Sequence, residues 1–263
     1  MHTMYYLPKK ILLMFSIISQ LFGCAQAATI SGPDFAQPME KVIHIGHRAS
    51  VFYLIPGNLS KELNFDKIYK RDTAKSFQVD PNKLAEKKTL TWREFESIDM
   101  GAWDYLGKKS QGPGGQLGSL RIGIGYSLLP KEVNLIDHIR RSYEEYLNGT
   151  NGLNKKYQFD DMGKPVPVDE YAEDAIIPPN SFKEVTLGGA QFITWETDRE
   201  FDGFKNNRFI YYILPIDQSG YLTFLFRPTI SVFGQEMVNK QEQRIEQDIK
   251  EFLSHIKTIS HQH

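Results

Sequence analysis

The residues of this chain that could carry chemistry are its histidines and its serines, some of which lie in glycine-rich segments. His44 and His47 have a spacing that suits a metal site only on a helix, where positions three apart share a face. The surrounding segment predicts a strand, on which the two rings point to opposite faces, so no metal site is expected. His261 and His263 lie beyond the last helical pattern, and a frayed polar tail is expected there.

Two glycine-containing segments resemble catalytic motifs only in part. Residues 123–127 read Gly-Ile-Gly-Tyr-Ser and lack the Gly-x-Ser-x-Gly order of a nucleophile elbow. Residues 107–110 read like the end of a phosphate-binding loop but lack its upstream glycine. The sequence shows no serine and aspartate partners for its histidines, so we expect no catalytic residues and no cofactor.

The single cysteine, Cys24, ends the segment Leu-Phe-Gly-Cys at residues 21–24, which resembles a lipobox, the processing signal that precedes a lipid-modified cysteine. A charged stretch and an apolar run at residues 11–21 come before it, in the order of an export signal. Cys24 is therefore the expected lipidation site and a membrane anchor. Two alternatives remain: cleavage after Ala27, which gives a free periplasmic protein, and a buried structural thiol.

Charge and cysteine content restrict the partners and the source of stability. The chain has 31 basic and 32 acidic residues, a formal net charge of −1. It therefore offers no polybasic surface for nucleic acid. With one cysteine it cannot form an internal disulfide, so its stability has to come from packing.

The apolar pattern predicts an α+β fold made of antiparallel sheets, each covered by an amphipathic helix, in two similar lobes. After a signal peptide at 1–23 and a tether at 24–40, the N-terminal lobe is expected at 41–150 and the C-terminal lobe at 180–260, joined by a polar segment at 151–179. The predicted strands are residues 41–45, 51–55, 90–95, 103–106, 120–129, 182–187, 191–197, 209–214 and 221–226. The predicted helices run from Pro130 to about Gly149 and from Gln235 to Ile259.

Acidic residues are concentrated in the polar connecting segment. They are Asp160, Asp161, Asp169, Glu170, Glu173 and Asp174, with Tyr171 among them. A second group follows at Glu196, Asp198, Glu200 and Asp202. Such residues can form a solvated loop, or an anionic, aromatic-containing face that binds a basic protein partner.

Both ends of the predicted domain resemble one known family. Residues 42–48, Val-Ile-His-Ile-Gly-His-Arg, with a following strand and Pro56, look like the first strand of exported immunity proteins paired with type VI secretion lipase effectors. A strand hairpin and a helix ending in residues 252–257, Phe-Leu-Ser-His-Ile-Lys, are similar to the end of that family. The resemblance implies a two-lobed periplasmic protein that binds a toxin and blocks its active site, without catalysis of its own.

Three functions therefore remain open. The leading hypothesis is an immunity lipoprotein on the periplasmic side of the outer membrane that inhibits an antibacterial effector, expected to be a phospholipase. The alternative is an envelope lipoprotein that acts as a scaffold or assembly factor. A hydrolase or solute-binding protein would require a deep pocket with convergent polar groups.

Overall fold

The computed structural model describes residues 31–60, 74–86, 96–148, 157–159, 165–167, 182–201 and 204–261. In chain order its strands are β1 (Asp34–Ile45), β2 (Ala49–Gly57), β3 (Ser76–Val79), β4 (Glu96–Leu106), β5 (Gln116–Leu128), β6 (Tyr157–Phe159), β7 (Pro165–Pro167), β8 (Lys183–Leu187), β9 (Ala190–Phe201), β10 (Phe204–Asp217), β11 (Gly220–Ile230) and β12 (Lys257–Ser260). The α-helices are α1 (Pro81–Ala85), α2 (Leu135–Asn148) and α3 (Gln235–Ser254), and a 3₁₀ turn covers Pro113–Gly115.

The strands form two main sheets. The four-stranded sheet has the order β12-β2-β1-β3, in which β1 and β2 form an antiparallel hairpin and β3 runs parallel to β1. The six-stranded sheet has the order β4-β5-β11-β10-β9-β8 and is antiparallel throughout. A separate two-stranded ladder joins β6 to β7.

Alternation along the strands divides the apolar residues between two clusters. Because successive side chains of a strand point to opposite faces, one face of the six-stranded sheet supplies Phe224 and Phe226 while the other supplies Tyr221 and Leu225. The first cluster is the main core, and it also contains the inner face of the four-stranded sheet and the apolar stripe of α3. The second cluster lies beneath α2, whose Ile139 is 2% exposed.

The α+β class is confirmed, and the strands of the two predicted lobes are interleaved. The six-stranded sheet combines β4 and β5 from the predicted N-terminal lobe with four strands from the C-terminal one. In the four-stranded sheet, β12 pairs with β2 across the same predicted boundary. Both long helices pack on the six-stranded sheet, on opposite faces, and α3 also contacts β2.

Three predicted boundaries are corrected. Strand β1 begins at Asp34, so residues 34–40 are strand and not tether. Helix α2 begins at Leu135 rather than at Pro130, because Asn134 caps it: its Oδ1 accepts hydrogen bonds from the backbone N–H of Ile136 and Asp137.

The third correction concerns the C-terminus. Helix α3 ends at Ser254, and residues 257–260 form a strand, although Ile256 and Ile259 continue the helical spacing. His255 leaves the helix with φ −90° and ψ 0°, which redirects the chain to β2. The predicted strand at residues 90–95 lies outside the described residues.

No helix in the described part of the chain is long and apolar enough to cross a membrane.

Candidate partner-binding site

The site residues predicted from the sequence lie outside the described residues. This holds for the predicted lipidation site, Cys24, and for the predicted partner-binding set: Asp160, Asp161, Asp169, Glu170, Tyr171, Glu173 and Asp174. The ladder of β6 and β7 pairs Phe159 with Pro165, on either side of residues 160–164.

Glu196, from the second acidic group, belongs to an ion-pair network. Its carboxylate lies 2.6 Å from the Arg208 guanidinium, and Glu246 of α3 lies 3.6 Å from the same group. Partial burial opposes the charge of Arg208, but the hydrogen bond and charge of Glu196, together with Glu246, outweigh it and raise the pKa of Arg208. The charge of Glu196 is therefore compensated by Arg208 within the fold, so Glu196 is not a free anionic contact for a partner.

The inner face of the β1–β2 hairpin contains a buried charged cluster. Lys41 Nζ lies 2.9 Å from Asp99 Oδ2, and the Tyr53 hydroxyl donates to the same oxygen at 2.7 Å. The three residues are at most 3% exposed. Burial, followed by the charge of Asp99 and the hydrogen bond to it, raises the pKa of Tyr53. Since Asp99 belongs to β4, this cluster joins the two sheets and is sealed from any ligand.

A second polar contact joins β4 to α3. The Tyr105 hydroxyl donates to Asp248 Oδ2 at 2.7 Å, and the Arg244 guanidinium lies 4.9 Å from the centre of the Tyr105 ring. Burial raises the pKa of Asp248, while the hydrogen bond from Tyr105 and the charge of Arg244 oppose that rise. Arg244 also donates to the carbonyl oxygen of Ser31, which fixes the start of the described chain to α3.

The outer face of the same hairpin holds a histidine–serine cluster that sequence reasoning missed. Ser50 Oγ lies 2.9 Å from His44 Nδ1 and 3.0 Å from His261 Nε2. A hydroxyl has one proton and two lone pairs, so Ser50 donates to at most one ring and can accept from either, according to the histidine tautomers. The backbone N–H of His261 also donates to the carbonyl of Arg48 at 2.9 Å. The expected frayed tail is thus wrong for His261, which is fixed to the sheet.

The surroundings of Ser50 favour a structural role over nucleophilic catalysis. Ser50 lies in β2, which pairs with β1 on one side and with β12 on the other. Backbone N–H groups that take part in these ladders are not free to form an oxyanion hole. The cluster of His44, Ser50 and His261, called the clasp below, therefore holds β12 in place.

Beside β12 lies a groove of about 470 Å³. One wall consists of Lys257, Thr258 and Ser260 of β12; Ile259 is 53% exposed but does not line the groove. The other wall is the turn between β8 and β9, at Gly188 and Gly189, together with the end of β10 at residues 214–216. An exposed strand edge beside an open groove can accept an extended segment of another chain.

A larger groove, of about 910 Å³, lies between the β1–β2 turn and α1. Its lining includes His47, Arg48 and Lys83 as well as Asp80. Two of these residues have partners within the fold: Asp80 caps α1, and Arg48 lies 3.7 Å from Asp217. The first contact stabilises the start of α1, and the second joins the β1–β2 turn to the end of β10.

No protein-family model, curated protein or solved structure matches this chain. Within the described ranges, no group of three His, Cys, Asp or Glu side chains could hold a metal ion.

Proposed function

We propose that this protein is an exported immunity protein that binds an antibacterial effector, a phospholipase, and blocks it stoichiometrically. It acts in the periplasm, anchored to the outer membrane through a lipidated Cys24, or free after cleavage at Ala27. The export signal and the family resemblance are the sequence support for the proposal.

The observation that carries the proposal is the packing of the two segments that resemble the immunity family. Residues 42–48 lie in β1 and its turn, and residues 252–257 lie at the end of α3 and the start of β12. Helix α3 and β12 both contact β2, and the Phe252 and Tyr53 rings lie 6.4 Å apart. A resemblance confined to two distant segments is easier to understand when both belong to one structural unit.

The proposal is tested by co-production with a toxin. The neighbouring gene is examined for a lipase with a Gly-x-Ser-x-Gly elbow, and its product is directed to the periplasm with and without this protein. We expect rescue of growth, and inhibition of the purified lipase that is complete at an equimolar ratio. A neighbouring lipase that is neither bound nor inhibited would contradict the proposal and favour the envelope scaffold.

The acidic segment gives a test of the contact surface. Reversing Asp169, Glu170, Glu173 and Asp174 together to Lys should slow association with the lipase and make the remaining affinity less dependent on salt. Tyr171→Ala should instead increase the dissociation rate if this ring is a central anchor. Unchanged rates in both variants would mean that the segment is a solvated loop.

The anchor is tested separately. Cys24→Ser should abolish lipid modification and release the protein from membranes, with little effect on the stability of the domain. Mass spectrometry of the mature N-terminus measures this directly. An unmodified chain that begins at Ala28 in the wild type would replace the anchored form with the free one.

A further inference from the structure

We propose that the partner contributes an extended segment that pairs with the edge of β12 that no other described strand occupies, with an acidic side chain beside Lys257 and an apolar one beside Ile259. This inference rests on the proposed function, because it assigns the contact by which the effector is held. It concerns residues 257–260 and the groove beside them, and does not involve the acidic segment.

The edges of the two sheets differ in the features that prevent pairing with another chain. Edge strands normally carry charges, bulges or proline, which prevent pairing with other chains. Strand β4 exposes Leu106 but has two register shifts, β8 begins with two charged residues, and β3 pairs with β1 without a register shift but has its large apolar side chain, Phe77, partly buried. Strand β12 is as short as β3 and begins with Lys257, but it pairs with β2 without a register shift and exposes Ile259. Among the described sheet edges, β12 thus combines a regular ladder with an exposed large apolar side chain.

The groove beside β12 has room for the backbone of an extended segment. The wall opposite β12 contains Gly188, Gly189 and Ala190, so small residues leave room for a backbone. A side chain placed at Gly189 would meet nothing within 4 Å. Gly188 has φ +58°, and a Cβ there would lie 1.9 Å from the carbonyl oxygen of Ser254, so this turn packs tightly on the end of α3. This wall therefore leaves space in the groove, and the end of α3 holds its turn in place.

The side chains of β12 indicate the chemistry of the occupant. Lys257 is the charged residue among those that line the groove. The register pairs Lys257 with Phe52 and Ile259 with Ser50, so both side chains lie on the outer face of the sheet. In an added strand, residues on that face would lie beside them, and opposite charges and apolar pairs are the favourable combinations. An acidic residue and an apolar residue two positions apart fit this edge.

The edge of β12 is already ordered before a partner binds. Strand β12 is held by its ladder with β2, and His261 is clasped by Ser50 and by the carbonyl of Arg48. A partner strand would not have to order β12 on binding, which lowers the entropic cost of association.

The test uses blocked peptides of known sequence and the full domain. The probe is acetyl-Thr-Val-Thr-Asp-Thr-amide, compared with the same peptide carrying Lys in place of Asp, and with a version N-methylated at alternate residues. Amide shifts are followed by NMR at peptide concentrations up to about 1 mM, the weak end of specific binding. We expect shifts at residues 257–260 and 188–191 with the Asp peptide, weaker binding of the Lys peptide, and loss of binding on N-methylation.

Charge reversal at two edges provides the matched comparison. Lys257→Glu should weaken binding of the Asp peptide roughly twofold to fivefold and strengthen binding of the Lys peptide. Lys183→Glu, the same change on the edge strand β8, should leave both unchanged. Absence of shifts at residues 257–260, or equal binding of the N-methylated peptide, would overturn the inference. Self-association through β12 in sedimentation experiments would also overturn it, because a second copy would then be the occupant.

The effector assay separates this inference from the proposed function. If wild type and Lys257→Glu bind and inhibit the lipase equally, the pairing at β12 is contradicted and the immunity function stands. If the peptides bind as expected but the lipase is not bound, the immunity function is contradicted and β12 accepts a strand from a different protein.

Discussion

The two faces of the β1–β2 hairpin place polar residues in different environments. On the inner face, Lys41 and Tyr53 meet Asp99 in an environment without solvent. On the outer face, Ser50 meets His44, which is half-buried, and His261, which is exposed. Inward-facing and outward-facing residues alternate along β1 and β2, so both faces are built from the same two stretches of sequence.

The difference lies in what each face packs against. The inner face is covered by the six-stranded sheet and α3, so a charge there requires a fixed partner from another element. On the outer face, the His44 and His261 rings retain access to water, although Ser50 between them is only 5% exposed. Whether a polar residue of these strands is buried with a counter-charge or stays near the surface therefore depends on what packs against its face.

The largest effect is expected from Asp99→Ala. It leaves Lys41 buried without its counter-charge and removes the acceptor of the Tyr53 hydroxyl, which should cost about 3 to 5 kcal/mol. The free energy of unfolding is measured by denaturant titration. The double variant Lys41→Met with Asp99→Leu should recover most of this loss. A loss below about 1 kcal/mol from Asp99→Ala would show that the cluster is hydrated.

A comparable loss is expected beneath the inner face. Phe252 contacts the rings of Tyr53, Phe224 and Phe226, with centroid separations between 5.8 and 6.4 Å. Phe252→Ala should therefore cost about 3 to 5 kcal/mol. Glu246→Ala, on the exposed face of the same helix, should cost less than about 1 kcal/mol. Equal effects of the two changes in a denaturant titration would mean that α3 does not dock on the sheets.

A smaller effect is expected on the outer face. Ser50→Ala removes the hydroxyl that contacts both histidines, and should cost about 1 to 2 kcal/mol. Hydrogen exchange should become faster at residues 257–260 while the amides of β1 keep their protection. Uniform acceleration over both sheets would mean that the clasp contributes to global stability rather than to holding β12.

The smallest effect is a difference in alkaline stability. Because the folded-state pKa of Tyr53 is raised, the unfolded chain loses its phenolic proton first, and stability falls as pH rises above 10. Tyr221, with a pKa raised by burial to about 12, contributes in the same way. Tyr53→Phe should therefore lose about 1 kcal/mol less than wild type between pH 10 and 11, measured by denaturant titration at each pH. Ser50→Ala should keep the wild-type slope, and a Tyr53→Phe slope equal to wild type would contradict the assignment.

The sequence predicted most strands because apolar alternation is a local property. Residues 209–214 and 221–226, with the turn between them, correspond to β10 and β11. The end of α3 was missed because Ile256 and Ile259 keep helical spacing, while the contact that makes residues 257–260 a strand is with β2. The Ser50–His261 contact was missed for the same reason, since its partners are 211 positions apart.

The candidate site was predictable to a lesser extent. Residues such as Glu196 were recognised as charged, but the pairing with Arg208 that compensates this charge depends on the register of β9 and β10. The edge of β12 has no sequence signature, because a free edge is defined by the strand order of a sheet. The alternation of Lys257 and Ile259 is the one local signal, and it spans too few residues to be distinguished from the preceding helix.

The pairing of β12 with β2 also determines when the first sheet can be completed. Strand β2 precedes most of the described chain, whereas β12 follows α3. Until residues 257–260 have been synthesised, β2 lacks one of its neighbours and its edge is uncovered. Contacts between such distant segments slow folding, because the long intervening loop must be closed first. A chain that completes its first sheet last therefore stays incompletely folded until its C-terminal strand is in place.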